Sequence, residues 1–114
     1  MKFSQLVEAV NGEWLVQSEE TEISVAFASD LMSDVLAMVQ ENPEETLLVT
    51  GLCNAQSIRT ADMLDIRNIL VVRNKKYNEE EIELAKESGI NVVATPYTMF
   101  ETCALLHVKG LKSV

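Results

Sequence analysis

Three short apolar runs, TLLVTG, NILVVRN and NVVATP, lie between residues 46 and 96, and each is followed by sequence of helical period. Strands that read as continuous apolar runs are buried on both faces, and strands that alternate with helices belong to a parallel sheet. The spacing therefore predicts an α/β fold of three layers, α/β/α, around a mainly parallel sheet of about four to five strands. In such open sheets ligands sit beyond the carboxyl ends of the strands. That is where a functional surface is expected, although those ends carry no recognisable catalytic set.

The chain before and after these runs extends the same plan. Phe3, Leu6, Val7 and Val10 keep the i, i+3, i+4, i+7 rule of an opening helix that ends near Asn11-Gly12. Trp14 to Val16 reads as a short strand, and QSEETE as an exposed acidic turn. Ile23, Val25 and Phe27 alternate with Ser24, Ala26 and Ala28, which predicts a strand whose small-residue face admits a closely packed helix. Ser29 or Asp30 is positioned to cap the next helix, which carries Leu31, Val35, Met38 and Val39 and stops at Asn42-Pro43. Further strands are expected over 46–50, 68–72 and 91–94. A helix from about Asn54 to Leu64 buries Ile58, Ala61 and Leu64. Asn78 with Glu81, and Thr98 with Glu101, have capping-box spacing, and Gly89 and Gly110 end the helices that follow. On the last helix Phe100 and His107 are placed on the inward stripe.

At 114 residues the chain is expected to be one domain, 1–114, with no linker or low-complexity segment. Eighteen acidic residues against nine Lys and Arg give a formal charge of −9. That balance disfavours nucleic acid, which needs clustered cations, and an anionic membrane surface alike. No segment approaches the ~18 continuous apolar residues of a membrane span. The opening MKFSQLVEAVNGEW lacks a signal-peptide pattern, so a cytoplasmic location with reduced thiols is expected. Cys53, Cys103 and His107 are three separated ligands without paired spacing, so no metal and no cofactor are expected. Glu79, Glu80, Glu81, Glu83 and Glu87 read as a solvated helix face.

The candidate binding residues lie at the strand ends and the helix starts behind them: Thr50, Gly51, Asn54, Arg59, Arg73, Asn74, Thr95 and Thr98. Helix starts present unpaired N–H groups and the positive end of the dipole, and an Arg can fork onto a phosphate or carboxylate. Together they suit a small anionic ligand or nucleotide. Plain helix capping and ion pairing with the many acids account for the same residues, and TGLCNAQS has neither the dinucleotide glycine fingerprint nor a P-loop. No nucleophile, base and orienting group can be named together, so no catalytic residue is assigned.

The extended IRNILVVRNKK, the helix IELAKESGI and the run INVVATPYTMFETCALL resemble a DRTGG-type domain over most of the chain. That family is an α/β domain related to the N-terminal domain of HPr kinase/phosphorylase, found beside CBS domains in regulatory pyrophosphatases and attached to phosphate acetyltransferases. Small stand-alone versions are associated with hydrogenase genes. The resemblance implies a non-catalytic, homodimerising regulatory module, or an interaction domain serving a hydrogenase-related enzyme or regulator. Asp-Arg and Thr-Gly-Gly do not occur in this chain; Gly51-Leu52-Cys53-Asn54 and Val72-Arg73-Asn74 stand in the corresponding places. A homodimer is also expected because so small a domain buries only about 60 to 70% of its chain surface. Trp14, Phe3 and the LVEAV and LLHV faces supply apolar surface for pairing.

Overall fold

The computed structural model describes residues 1–114. Its elements are α1 (Phe3–Ala9), β1 (Glu13–Val16), β2 (Val25–Ala28), α2 (Met32–Met38), a 3₁₀ turn (Pro43–Glu45), β3 (Thr46–Thr50), α3 (Ala55–Leu64), β4 (Asn68–Val71), α4 (Glu79–Glu87), β5 (Asn91–Ala94), α5 (Met99–Val108) and β6 (Lys112–Ser113). The sheet has six strands in the order β1-β5-β4-β3-β2-β6. Strands β2 to β6 run parallel, and only β1 is antiparallel, against β5. The sheet is larger than the four to five strands expected, because the two-residue β6 is too short to leave a period in the sequence.

Every residue of β3, β4 and β5 is buried. One face of these strands, with Leu48, Ile69, Val71 and Val92, packs on Val35 of α2, Ile58 and Ala61 of α3 and Ala85 of α4. The other, with Leu47, Val49, Leu70 and Val93, packs on Phe3, Leu6 and Val7 of α1 and Leu106 of α5. This three-helix and two-helix division follows from crossover handedness. Each right-handed step from β2 to β5 advances one place in the same direction and puts its helix on the same face, whereas the return from β5 to β6 runs backward and puts α5 on the opposite one.

Local signals bound α1, α3, α4 and α5 where expected, whereas α2 ends at Met38, short of Asn42-Pro43, with Val39 already extended. Asn54 caps α3 by accepting from the Gln56 N–H at 2.9 Å, and Asn78 and Glu81 complete a reciprocal box at the start of α4. Gly89 takes φ +70° after α4, and Asn11 takes φ 52° after α1. Thr98 accepts from the Glu101 N–H at 3.3 Å.

Four expectations are corrected. Ile23 lies outside β2 and joins the α1/α5 face, because its N–H is held by the Met1 carbonyl and Lys2 bridges Glu22, which breaks the alternation before Val25. Neither Ser29 nor Asp30 is the N-cap of α2; Leu31 holds that position without a side-chain cap, and Asp30 reaches across to Gly51. Phe100 and His107 are exposed, because α5 turns Thr102 and Leu106 to the sheet. Phe3, Leu6 and Val7 are fully or nearly buried, and Trp14 meets Phe3 edge-to-face at 5.4 Å, so the opening segment is absorbed within the chain's own core.

The close approach of α1 to β5 depends on Gly12. A Cβ there would lie 2.6 Å from Val93 Cγ1 and 3.0 Å from Val7 Cγ1, both core atoms. We expect Gly12→Ala to lower unfolding free energy by about 1 to 3 kcal/mol, the usual cost of overpacking. Urea denaturation reads it directly, and an unchanged midpoint would show that α1 moves freely over the sheet.

Candidate functional site at the carboxyl edge of the sheet

Gly51, immediately after β3, is the centre of the carboxyl edge. Its N–H donates to Asp30 Oδ1 from the loop after β2, and its carbonyl accepts from Lys75 Nζ at 2.9 Å from the loop after β4. A Cβ on Gly51 would lie 3.1 Å from Asp30 Oδ1 and 3.3 Å from Arg73 Nη2, so an acid and an Arg both lie close against a residue with no side chain. Thr50 is buried and its hydroxyl accepts from the Leu52 N–H at 3.0 Å, which shapes the turn.

Arg73 and Asn74 both have positive φ, 61° and 56°. A pair of non-glycine residues in that region is uncommon and persists only when surroundings hold it. Here the Arg73 N–H donates to the Tyr97 carbonyl at 2.7 Å and the Asn74 N–H to the Thr95 carbonyl at 2.7 Å, which ties the loop after β4 to the loop after β5. Thr95 is itself buried and donates its hydroxyl to the Val10 carbonyl at 2.6 Å. The turn is therefore held from below while the Arg73 side chain is exposed.

The structure brings together Thr50, Gly51, Arg73, Asn74 and Thr95. Asn54 and Thr98 border them as helix caps, and their side chains hold the Gln56 and Glu101 N–H groups. Arg59 instead lines a groove between α3 and α4 with Asn78, Glu80, Glu83 and Glu87. Asp30 and Lys75 were not in the sequence-derived set. Lys75 sits two residues beyond Arg73, and that spacing was the only signal for it. Neither Arg73 nor Lys75 takes part in any of the four ion pairs, which join Met1–Glu22, Arg67–Asp65, Lys76–Glu13 and Lys86–Glu83. Arg73 thus has no carboxylate within ion-pair distance, and Asp30 faces it across Gly51.

Below this edge lies a buried polar contact of structural character. The hydroxyls of Ser57 and Tyr77 are 2.5 Å apart, and burial pushes the Tyr77 phenol well above its ordinary range. Cys53 packs on the same α2/α3/α4 face, where burial first, and then Glu81, push its thiol up to about 11. Cys103 packs on the opposite face and is also raised by burial. The sheet stands between the two thiols, so they cannot share a metal ion or a disulfide. No group of three or more His, Cys, Asp or Glu is arranged to hold a metal ion, and no helix is long and apolar enough to cross a membrane.

No protein-family model matches the chain, and no curated protein matches it in sequence. In structure it is similar to the CBS and DRTGG domains of the regulatory region of Clostridium perfringens pyrophosphatase, solved in complex with the activator diadenosine tetraphosphate. The TM-score is 0.69 at 16% sequence identity, over 90% of this chain and 44% of that one. The likeness places this chain in the same α/β fold as part of that regulatory region.

With its pKa raised to about 11, Cys53 holds very little thiolate at neutral pH, and the thiolate is the reactive form. We expect alkylation of Cys53 by iodoacetamide at pH 7.5 to be at least about tenfold slower than that of a free thiol near pKa 8.5. The rate should keep climbing through pH 10. Mass-resolved alkylation checks this, and a plateau below pH 9 would contradict the burial argument.

Proposed function

We propose that residues 1–114 form a single DRTGG-like regulatory module, non-catalytic and cytoplasmic, that homodimerises and senses a small anionic ligand or nucleotide at the carboxyl ends of its strands. The observation that carries this reading is a pair of cations without carboxylate partners, Arg73 and Lys75, beside Gly51 in a chain with twice as many acids as bases. In such a chain an unpaired Arg on a rigidly held turn is a preorganised guanidinium, suited to a phosphate or carboxylate. Thr50, Asn74, Thr95 and the caps Asn54 and Thr98 frame it, and Arg59 offers a further cation on α3. The fold likeness to a regulatory region that takes a polyphosphate activator supports the same class of ligand.

A second reading, an interaction domain serving a hydrogenase-related enzyme or regulator, draws on exposed apolar side chains. Phe100, Val108 and Met63 are 86%, 81% and 72% exposed. Such residues also give a homodimer its surface now that Phe3 and Trp14 are accounted for within the chain.

Replacing Arg73 with Ala should weaken binding of diadenosine tetraphosphate, ATP or acetyl phosphate by about 1.5 to 3 kcal/mol, the range for hydrogen bonds to charged groups, without unfolding the chain. Amide NMR titration is the measurement. Shifts that cluster on the acidic helix from Asn78 to Ser88, or none at all, would sink the sensing proposal and leave the interaction reading. For the dimer, light scattering should give twice the chain mass at micromolar concentration; a monomer throughout would refute it.

A further inference from the structure

Apolar side chains fall on every side of α5, although only one side of it meets the sheet. A helix that is apolar all round belongs in a buried setting. Thr102 and Leu106 turn to the sheet, with Met99 and Cys103 beside them. At 3.6 residues per turn, Phe100, Ala104 and Val108 make up the opposite stripe. All three are exposed, and Phe100 and Val108 are the two most exposed large apolar side chains of the molecule. Scattered apolar residues on a surface need no explanation, but three aligned along the outer face of one helix form a continuous patch.

Charge and symmetry say what covers the patch. Two copies of a chain with a formal charge of −9 repel each other at close range. Seventeen of the eighteen acids precede α5, and from Met99 onward the chain holds one acid, Glu101, against Lys109 and Lys112, so this stretch does not add to that repulsion. The stripe is also complementary to itself. When a second α5 lies antiparallel across a two-fold axis at Ala104, residues equidistant from that point come level: Ala104 with Ala104, and Phe100 with Val108. The small side chain at the centre admits a close approach, and the large ones on either side close over it. Glu101 and Lys109 lie on one flank of the stripe toward its opposite ends, and neither takes part in an ion pair within the chain. The same axis sets Glu101 of each copy beside Lys109 of the other, which neutralises the one acid on the patch. We propose that α5 is the surface through which the protein pairs with a second copy of itself, antiparallel, on Phe100, Ala104 and Val108. This proposal rests on the homodimer reading and gives it a surface. A helix of about 15 Å supplies less than the roughly 800 Å² per partner of a standard interface, so the dimer is expected to dissociate on dilution.

Sedimentation equilibrium of the full chain is the test, with circular dichroism to show that each variant is folded. Wild type should show a reversible monomer-dimer equilibrium. Ala104→Glu, which sets two like charges face to face at the axis, should raise the dissociation constant at least about tenfold. Met63→Glu, at an exposed apolar position on α3, should leave it unchanged. Glu101→Lys and Lys109→Glu should each weaken the dimer by about three- to tenfold, and the two together should restore it. A dimer that survives Ala104→Glu, or that Met63→Glu breaks, overturns the α5 surface and leaves the homodimer reading with another face. Charge reversals that do not rescue each other overturn the antiparallel arrangement. A wild-type chain that stays monomeric, with α5 left for a different protein, overturns both readings.

Discussion

Burial of β3, β4 and β5 on both faces is the constraint from which the rest of this molecule follows. A backbone with apolar side chains above and below must be covered by helices on each side, and its N–H and C=O groups must be paired along the ladder. Buried polar side chains in these strands sit at the ends, where most find partners; the Asn68 amide nitrogen is buried without one. At the amino edge Asn91 Nδ2 donates to Asn68 Oδ1 at 3.0 Å and to the Glu19 backbone carbonyl at 2.8 Å, and Asn91 Oδ1 accepts from the Ser18 N–H. Thr21 donates to Asn68 at 2.7 Å. The acidic turn after β1 is thereby fastened to the core by two asparagines that would otherwise be costly to bury. At the carboxyl edge Thr50 and Thr95 do the same for the loops that meet there.

The two faces are not equivalent. Three successive crossovers place α2, α3 and α4 side by side on one face and give it the larger core, including Tyr77 and Cys53. The single return crossover leaves the other face to α1 and α5, with Gly12 letting α1 sit close to β5. Because α1 lies toward β5 and α5 toward β3, the shortfall in cover falls at β2 and β6, where the smallest strand residues are. The bare margin is therefore a consequence of topology together with the Ala26 and Ala28 side chains, and neither alone produces it.

At the carboxyl edge the loops after β2, β3, β4 and β5 interlock through named contacts: Asp30 to Gly51, Lys75 to Gly51, Arg73 to Tyr97 and Asn74 to Thr95. The Gly51 N–H is occupied by an internal carboxylate and its carbonyl by Lys75 Nζ, so the side chain left without a hydrogen-bond partner here is that of Arg73. Recognition here would rest on cations held on a rigid turn more than on helix-start donors, several of which are used by their own caps. The same overall fold carries a nucleotide-activated regulatory region in the pyrophosphatase, at an identity too low to transfer any single residue.

Sequence alone determined what is local. The bounds of β3 and β5, the caps at Asn54, Asn78 and Thr98 and the positive φ at Gly89 were legible, because apolar runs and capping geometry act over a few residues; α2, expected to run to Asn42-Pro43, instead ends at Met38. The strand-end location of Thr50, Gly51, Arg73, Asn74 and Thr95 was legible for the same reason. Tertiary structure decided what depends on distant neighbours. Asp30 finds Gly51 across 21 residues and Lys75 finds it across 24, pairings set by strand order, which no local pattern encodes. The outward turn of Phe100 and His107 and the existence of β6 likewise follow from where α5 lands on the sheet, and the exclusion of Ile23 from β2 follows from its pairing with the amino terminus. A helix period fixes which residues share a face; only packing selects the face that is buried.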